Sequence, residues 1–153
     1  MAARKRRKAN ILLTLLFFVY LAALVYFVFF AEEYGRTNIS DELMYNLTPF
    51  QEIRRYIEYR AMIGLPAVIL NLVGNVVAFV PFGFLVPMIN SAERRTYMIF
   101  LLTLELSLII EVVQLFSRVG SFDVDDLILN TLGGLIGYWA YRAIRSLGRR
   151  IAD

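Results

Sequence analysis

The stretch that decides the fold is ILLTLLFFVYLAALVYFVFF, residues 11–30. These 20 residues carry no charge, and as a helix they extend roughly 30 Å, which matches the hydrocarbon core of a bilayer. Five basic residues precede them in the run 4–8. A secretory signal peptide has the same order, but its apolar run is shorter and a small-residue cleavage pattern follows it. We therefore predict that residues 11–30 form a retained transmembrane anchor.

The composition of the whole chain points to the same class of protein. The chain has 153 residues, which suggests one domain, and 59% of them are apolar. Cysteine and histidine are absent, which excludes disulfides, thiolate metal sites and a histidine general base. The net charge is +3, and the basic residues lie at the ends of apolar runs. They do not form a continuous basic surface that could bind the phosphate backbone of a nucleic acid. No cofactor is predicted.

Three further apolar runs follow the first, at 65–89, 97–116 and 127–144. Each is long enough to cross a bilayer as a helix. The run 65–89 is the longest and is expected to tilt or to kink at Pro81. The sequence therefore predicts an all-α integral membrane protein of a single domain, 1–153, with four transmembrane helices.

The distribution of basic residues predicts the orientation of these helices. If the N-terminus lies inside, the inner segments hold eleven of the 16 lysines and arginines, and the outer segments hold five. This is the asymmetry expected when both termini are cytoplasmic. The chain is then predicted to be a multi-pass protein of the cell membrane, and the lipid bilayer is its predicted partner.

The first outer loop contains NLTPFQEIRRYIEYRAMIG, residues 46–64. Helical spacing places Phe50, Ile53, Ile57 and Ala61 on one face. We predict an amphipathic helix in the plane of the lipid headgroups; the alternative is a plain solvated helix.

This topology brings polar residues from three helices to one height near the outer surface. The second span carries Asn71 and Asn75, which share a face. The third span carries Glu111 and Gln114 near its outer end, and Arg118 follows it. The fourth begins with Asp123, Asp125, Asp126 and Asn130. An ionised side chain inside a span is unfavourable by about 2.5–3.5 kcal/mol near the centre, so such residues face partners within the bundle.

Two interpretations of this polar zone stay open. It is either a network of ion pairs and amides that fixes helix packing, or a site for a polar ligand or substrate. At least one of the three aspartates is expected to cap a helix N-terminus. Together they could instead hold Mg²⁺ or Ca²⁺ through oxygen ligands, although their spacing is a weak metal signal.

Two other features lie deeper in the predicted spans. Glu105 is near the bilayer centre and points away from Gln114, toward the first helix or a second subunit, or else it is protonated. Gly133 and Gly137 form a small-xxx-small pair that Gly134 widens. Such a face serves either close packing within the chain or dimerisation, and the sequence does not decide the oligomeric state.

Four blocks of the sequence, taken in order, resemble the VanZ-like family of small bacterial membrane proteins. They are NLTPF (46–50), NLVGNVVAFVPFGFLVP (71–87), EVVQLF (111–116) followed by Arg118, and FDVDDLILNTLGGLIG (122–137). The resemblance covers about 46–137. It implies a bacterial cell membrane and, through the family's name, a role in resistance to glycopeptide antibiotics, chiefly teicoplanin. It supplies no mechanism.

Two functions are consistent with these residues. In the first, a polar outer-leaflet pocket binds a lipid headgroup, a cell-wall precursor or the drug, through Asn71, Asn75, Gln114, Arg118, Asp123, Asp126 and Asn130. In the second, the protein is an enzyme that acts on a lipid-linked or glycan substrate. Glu111 would then be the acid/base group, since burial raises a carboxyl pKa.

Overall fold

The computed structural model of the chain describes residues 2–30, 44–90, 95–118 and 120–152. Most of these residues are helical, as predicted. In chain order the elements are α1 (Ala2–Phe30), β1 (Tyr45–Asn46), α2 (Gln51–Glu58), α3 (Arg60–Ile63), α4 (Leu65–Ile89), α5 (Thr96–Ser117), β2 (Phe122–Asp123) and α6 (Val124–Ala152).

Within the described residues, three helical segments are long and apolar enough to cross a membrane: Asn10–Phe29, Leu65–Ile89 and Thr96–Ser117. They coincide with the first three predicted runs. Large apolar side chains on their outer faces, such as Phe18 and Val19 of α1, are more than half exposed, as expected for helices surrounded by lipid rather than water. The prediction of a helical, multi-pass membrane protein is confirmed.

Helix α6 extends beyond the predicted run 127–144 at both ends, from Val124 to Ala152. It is less apolar than the other long helices because it contains two aspartates, four arginines, Asn130 and four glycines. That α6 forms a fourth span stays a prediction.

Helix α4 continues through Pro81 and Pro87 without interruption. It contacts α1 near its middle, where the Tyr20 hydroxyl of α1 donates a hydrogen bond to the Ala78 carbonyl, at 2.8 Å.

Helices α4 and α6 approach so closely that glycine is required at their contact. A Cβ atom at Gly83 would overlap the carbonyl oxygen of Gly134, and one at Gly137 would overlap the carbonyl oxygen of Val80. Gly133 meets the Val76 carbonyl in the same way. The glycine face of α6 is therefore covered by α4 of the same chain, as the interpretation of close internal packing expects.

Two apolar clusters lie at different heights of the helical bundle. The first joins α1, α4 and α5 through Leu24, Phe79 and Ile110. The second joins α5 and α6 through Ile99, Tyr138 and Tyr141, with Phe84 of α4 packed against it. These clusters connect neighbouring helices and form the apolar core of the bundle.

The segment between α1 and α4 contains structure that the sequence did not predict. Strands β1 and β2 form a parallel pair in which Tyr45 lies opposite Phe122 and Asn46 opposite Asp123. The expected amphipathic helix is divided at Tyr59 into α2 and α3. Gly64, with φ of 90°, then turns the chain into α4, a conformation that favours glycine.

Candidate functional site: a buried acidic junction

The buried carboxylate of Glu111 connects α5 to the start of α6. Glu111 lies near the end of α5 and is 2% exposed. Its Oε2 accepts a hydrogen bond from the backbone N–H of Asp123, at 2.9 Å. Through this hydrogen bond Glu111 holds the turn that leads into α6 against α5.

Asp123 caps helix α6. Its Oδ1 accepts the backbone N–H of Asp125 at 2.8 Å, and the Asn46 side-chain amide lies 3.3 Å from the same oxygen. Burial raises the pKa of Asp123 to about 6, from a usual value of 3.8, and the hydrogen bond from Asp125 acts in the opposite direction. The sequence predicted a cap among the three aspartates, and Asp123 has that geometry.

Asp125 caps a different helix, α2, and the residues that it binds there are 72 to 75 positions away in sequence. Its carboxylate accepts the backbone N–H groups of Phe50, Glu52 and Ile53; the last two bonds are 2.9 and 3.1 Å. Asp125 is only 1% exposed. A carboxylate at this position satisfies N–H groups that have no partner within the helix and suits the positive end of its dipole.

Asp126 connects this region to α4, because the side-chain amide of Asn75 donates a hydrogen bond to Asp126 Oδ1. The four carboxylates together thus bind groups of α2, α4 and α6 and connect α5 to the start of α6. We call this set, with its two asparagine partners, the acidic junction: Glu111, Asp123, Asp125, Asp126, Asn46 and Asn75. Asp125 and Asn46 were not among the ligand-binding residues that the sequence suggested.

Other predicted site residues have partners outside the acidic junction. Asn71 donates to the Ala67 carbonyl of its own helix, at 3.0 Å. Gln114 reaches the Val28 carbonyl of α1 at 3.5 Å. Asn130 donates to Ser107 Oγ at 2.9 Å, while its own Oδ1 is buried and has no hydrogen-bond partner among the described residues. Asn71 thus bonds within α4, whereas Gln114 reaches α1 and Asn130 reaches α5.

Arg118 is exposed at the end of α5 and adopts a left-handed backbone conformation, with φ of 57°. That conformation at a helix C-terminus usually belongs to glycine or asparagine, because other side chains crowd the backbone there. Arginine is therefore an unfavourable residue at this position if only the backbone conformation of the turn is considered.

The three aspartates do not meet at a common point. Asp123 faces the start of α6, Asp125 faces α2 and Asp126 faces Asn75. In the part of the chain that the structure describes, no group of three or more acidic, cysteine or histidine side chains is arranged to hold a metal ion. The carboxylates instead bind N–H groups of the protein.

Glu105 is exposed on the surface of α5, among apolar residues such as Leu101 and Ile109 that are also exposed. Its side chain is thus directed outward from the chain. Contact between Glu105 and a second subunit stays a prediction.

Comparison with known proteins identifies the family. A model of the VanZ/LLP1 family matches residues 17–145, which includes every residue of the acidic junction. The chain belongs to the VanZ/LLP1 family. Protein VanZ of Enterococcus faecium is 31% identical over 125 residues, which are 80% of this chain and 69% of that protein. No solved structure matches the chain.

Family membership and the three apolar helices together establish a multi-pass bacterial membrane protein. The resemblance recognised in the four sequence blocks is confirmed, and the matched region is longer than the predicted 46–137. The acidic junction is built largely from those same blocks, since Asn46, Asn75, Glu111 and the three aspartates all lie within them.

Proposed function

We propose that this VanZ/LLP1 protein is a non-catalytic module of the bacterial envelope. In this proposal it crosses the membrane four times with both termini in the cytoplasm. The acidic junction and Arg118 then lie at the outer surface, where they form or support a site for a lipid headgroup, a cell-wall precursor or a glycopeptide. Protection against teicoplanin is the expected phenotype.

The distribution of charge supports this orientation. The start of α1, the start of α5 and the end of α6 lie at the same end of the bundle if α6 spans the membrane, and they hold most of the basic residues. The acidic junction lies at the opposite end. In this arrangement α2 and α3 rest in the outer headgroup layer, held there by Asp125.

The observation that carries the binding role is the left-handed conformation of exposed Arg118, at the end of the helix that carries Glu111. A residue kept in an unfavourable backbone conformation is a reason to look for function. An exposed guanidinium binds phosphate and carboxylate groups in a two-pronged geometry, and both groups occur in lipid headgroups and cell-wall precursors. Asp126 and Asn75, which are half-buried, would border the same site, with Asn71, Gln114 and Asn130 further inside.

An enzyme is the second candidate, and a specific observation favours it. The raised pKa of Asp123, about 6, is suited to a general acid or base near neutral pH. Glu111 holds the backbone of that residue and is the acid/base group that the sequence suggested. However, both carboxylates already bind backbone N–H groups of the protein, which gives them a structural role without any substrate.

The test is teicoplanin susceptibility of a sensitive Gram-positive host that expresses the parent or a variant at matched membrane levels. We expect protection by the parent, loss of protection in Arg118→Ala, and no loss in the control Arg60→Ala, which removes another exposed arginine. Glu111→Gln distinguishes the two candidates, because an enzyme loses its activity while the protein still reaches the membrane.

Three outcomes would change the proposal. If Glu111→Gln or Asp123→Asn abolishes protection at normal membrane levels, the enzyme is favoured. If every substitution lowers the amount of protein in the membrane, the acidic junction is purely structural. If the parent gives no protection, the resistance role is wrong for this chain.

A further inference from the structure

A cavity of about 400 Å³ lies at the end of the bundle opposite the acidic junction, between the first turn of α5 and the last turns of α6. Its lining residues are cationic and aromatic, apart from one threonine: Arg95, Thr96, Tyr138, Tyr141, Arg142, Arg145 and Arg149. Among the residues that the structure describes, no acidic side chain lines this space. The described lining is thus electropositive.

The arginines approach the cavity from two helices. Arg142, Arg145 and Arg149 follow one face of α6 at intervals of three and four residues, and Arg95 stands across from them at the start of α5. In the part of the chain that the structure describes, three of these arginines contact neutral side chains. Arg95 donates to the Tyr97 hydroxyl at 3.1 Å, Arg145 lies 3.4 Å from the Tyr141 hydroxyl, and Arg142 lies over the Tyr138 ring.

The N-terminus of α5 adds to the positive potential. Thr96 is the first residue of the helix and lines the cavity, and the first turn contains no acidic residue. The backbone N–H groups at a helix start attract an anion, because they lack partners within the helix and carry the positive end of the dipole. Guanidinium groups and the N–H groups of a helix N-terminus both attract anions, so together they favour a bound phosphate.

The inner wall of the cavity is aromatic and packed against the apolar core. Tyr138 and Tyr141 are 2% and 8% exposed, and both pack in the cluster with Ile99. A charged rim above an aromatic wall, at the membrane end of two long helices, matches a phospholipid whose headgroup is bound while its acyl chains stay in the bilayer. Basic pockets between transmembrane helices on the cytoplasmic side bind anionic headgroups in this way.

We propose that this cavity binds the phosphate group of an anionic phospholipid of the inner leaflet. Arg142, Arg145 and Arg95 hold the phosphate, and the buried tyrosines face the glycerol and the first carbons of the chains. This site is separate from the proposed outer function and does not depend on teicoplanin. Free inorganic phosphate has the same binding chemistry, so the test includes it.

The chain provides its own reporter, because Trp139 is its single tryptophan and is 51% exposed next to the lining Tyr138. The purified protein is placed in phosphatidylcholine vesicles that contain phosphatidylglycerol, with bromine atoms on the acyl chains of either lipid. Quenching of Trp139 fluorescence then gives the relative affinity for the two lipids. We expect the parent to prefer phosphatidylglycerol, and Arg142→Gln/Arg145→Gln to lose roughly tenfold in that preference.

The matched control is Arg7→Gln/Lys8→Gln, which removes two charges from the same end of the bundle, outside the cavity. Selective loss in the cavity variant supports the site, and Arg95→Gln on the other helix should reduce the preference as well. Circular dichroism checks that each variant keeps its helix content.

A second arm adds inorganic phosphate to protein in phosphatidylcholine alone and follows thermal unfolding. If lipid preference is absent but phosphate stabilises the parent and not the double variant, the phosphate site stands and its ligand is soluble. The proposal is overturned if the control loses as much preference as the cavity variant, or if the parent shows neither lipid preference nor stabilisation by phosphate.

Discussion

Asp123 and Asp125 stand two positions apart and cap two different helices. Asp123 binds the N–H of Asp125 at the start of its own helix, α6. Asp125 binds three N–H groups at the start of α2, which belongs to a distant part of the chain. The first contact is local and follows from sequence, since acidic residues before an apolar helix favour its N-cap. The second depends on the tertiary fold, and no spacing rule predicts it.

Asp125→Asn should destabilise the protein. The substitution replaces one acceptor oxygen by an N–H₂ group that faces backbone donors of α2, in a site that is 1% exposed. Loss of charged hydrogen bonds of this kind lowers stability by about 1.5–3 kcal/mol. Thermal unfolding in detergent measures it, with Glu58→Gln on the exposed surface of the same helix as the control. An unchanged melting temperature in Asp125→Asn would show that α2 is not held by this carboxylate.

Asp123 should make stability depend on pH in the direction opposite to an ordinary paired carboxylate. Its pKa is about 6 in the folded chain and 3.8 in a free one, so the folded state binds the proton more tightly. The neutral form therefore stabilises the fold, and this contribution is lost as pH rises from about 4 to about 6.

Asp123→Asn keeps an acceptor oxygen for Asp125 and cannot ionise. We expect the variant and the parent to melt at similar temperatures at pH 4, and the variant to melt at a higher temperature at pH 7. Thermal unfolding across this range measures the difference. A difference that stays constant with pH would contradict a raised pKa.

Among the elements, the contact between α4 and α6 constrains the sequence most tightly. Gly83 faces the Gly134 backbone, where a Cβ has no room, whereas Gly74 on the same helix meets only Leu70, at 3.9 Å. Gly83→Ala must therefore separate the two helices, and overpacking of this kind lowers stability by roughly 1–3 kcal/mol or more.

Gly74→Ala is the matched control, because it adds the same methyl group to α4 without a clash and improves helix propensity. Thermal unfolding and the amount of protein in the membrane should fall for Gly83→Ala and not for Gly74→Ala. Equal behaviour of the two variants would mean that the backbones of α4 and α6 are further apart than described here.

The long helices were predictable because their apolar runs are long and uninterrupted. The run 65–89 has the same bounds as α4, and 97–116 differs from α5 by one residue at each end. The segment 44–63 was not predictable in the same detail. Its break at Tyr59 and the β1–β2 pairing involve short elements that tertiary contacts determine, and two-residue strands leave no periodic pattern in the sequence.

The polar zone was also predictable only in part. Asn75, Glu111, Asp123 and Asp126 could be expected to lie at one height because helix length and chain direction set it. Whether side chains at one height touch depends on helix rotation, which sequence spacing does not give across separate helices. Asn71 and Gln114 consequently have other partners, and Asn46 joins the acidic junction only through β1.

Across the whole molecule, the two ends of the bundle differ in charge. One end carries the acidic junction and helix α2, which Asp125 caps. The other end carries the arginine-lined cavity between α5 and α6. Such an asymmetry is expected of a membrane protein whose basic end is cytoplasmic. Both the envelope role and the inner lipid site depend on this orientation.

The most direct test of this account is the sidedness of Thr48 and Ser146. The chain has no cysteine, so Thr48→Cys and Ser146→Cys, both at exposed positions, each introduce a single thiol for a membrane-impermeant reagent. We predict that the thiol at position 48 is labelled in intact cells and the thiol at position 146 only after permeabilisation. Labelling of both in intact cells would mean that α6 does not cross the membrane, and the reverse pattern would place the acidic junction in the cytoplasm. Either result would contradict the account.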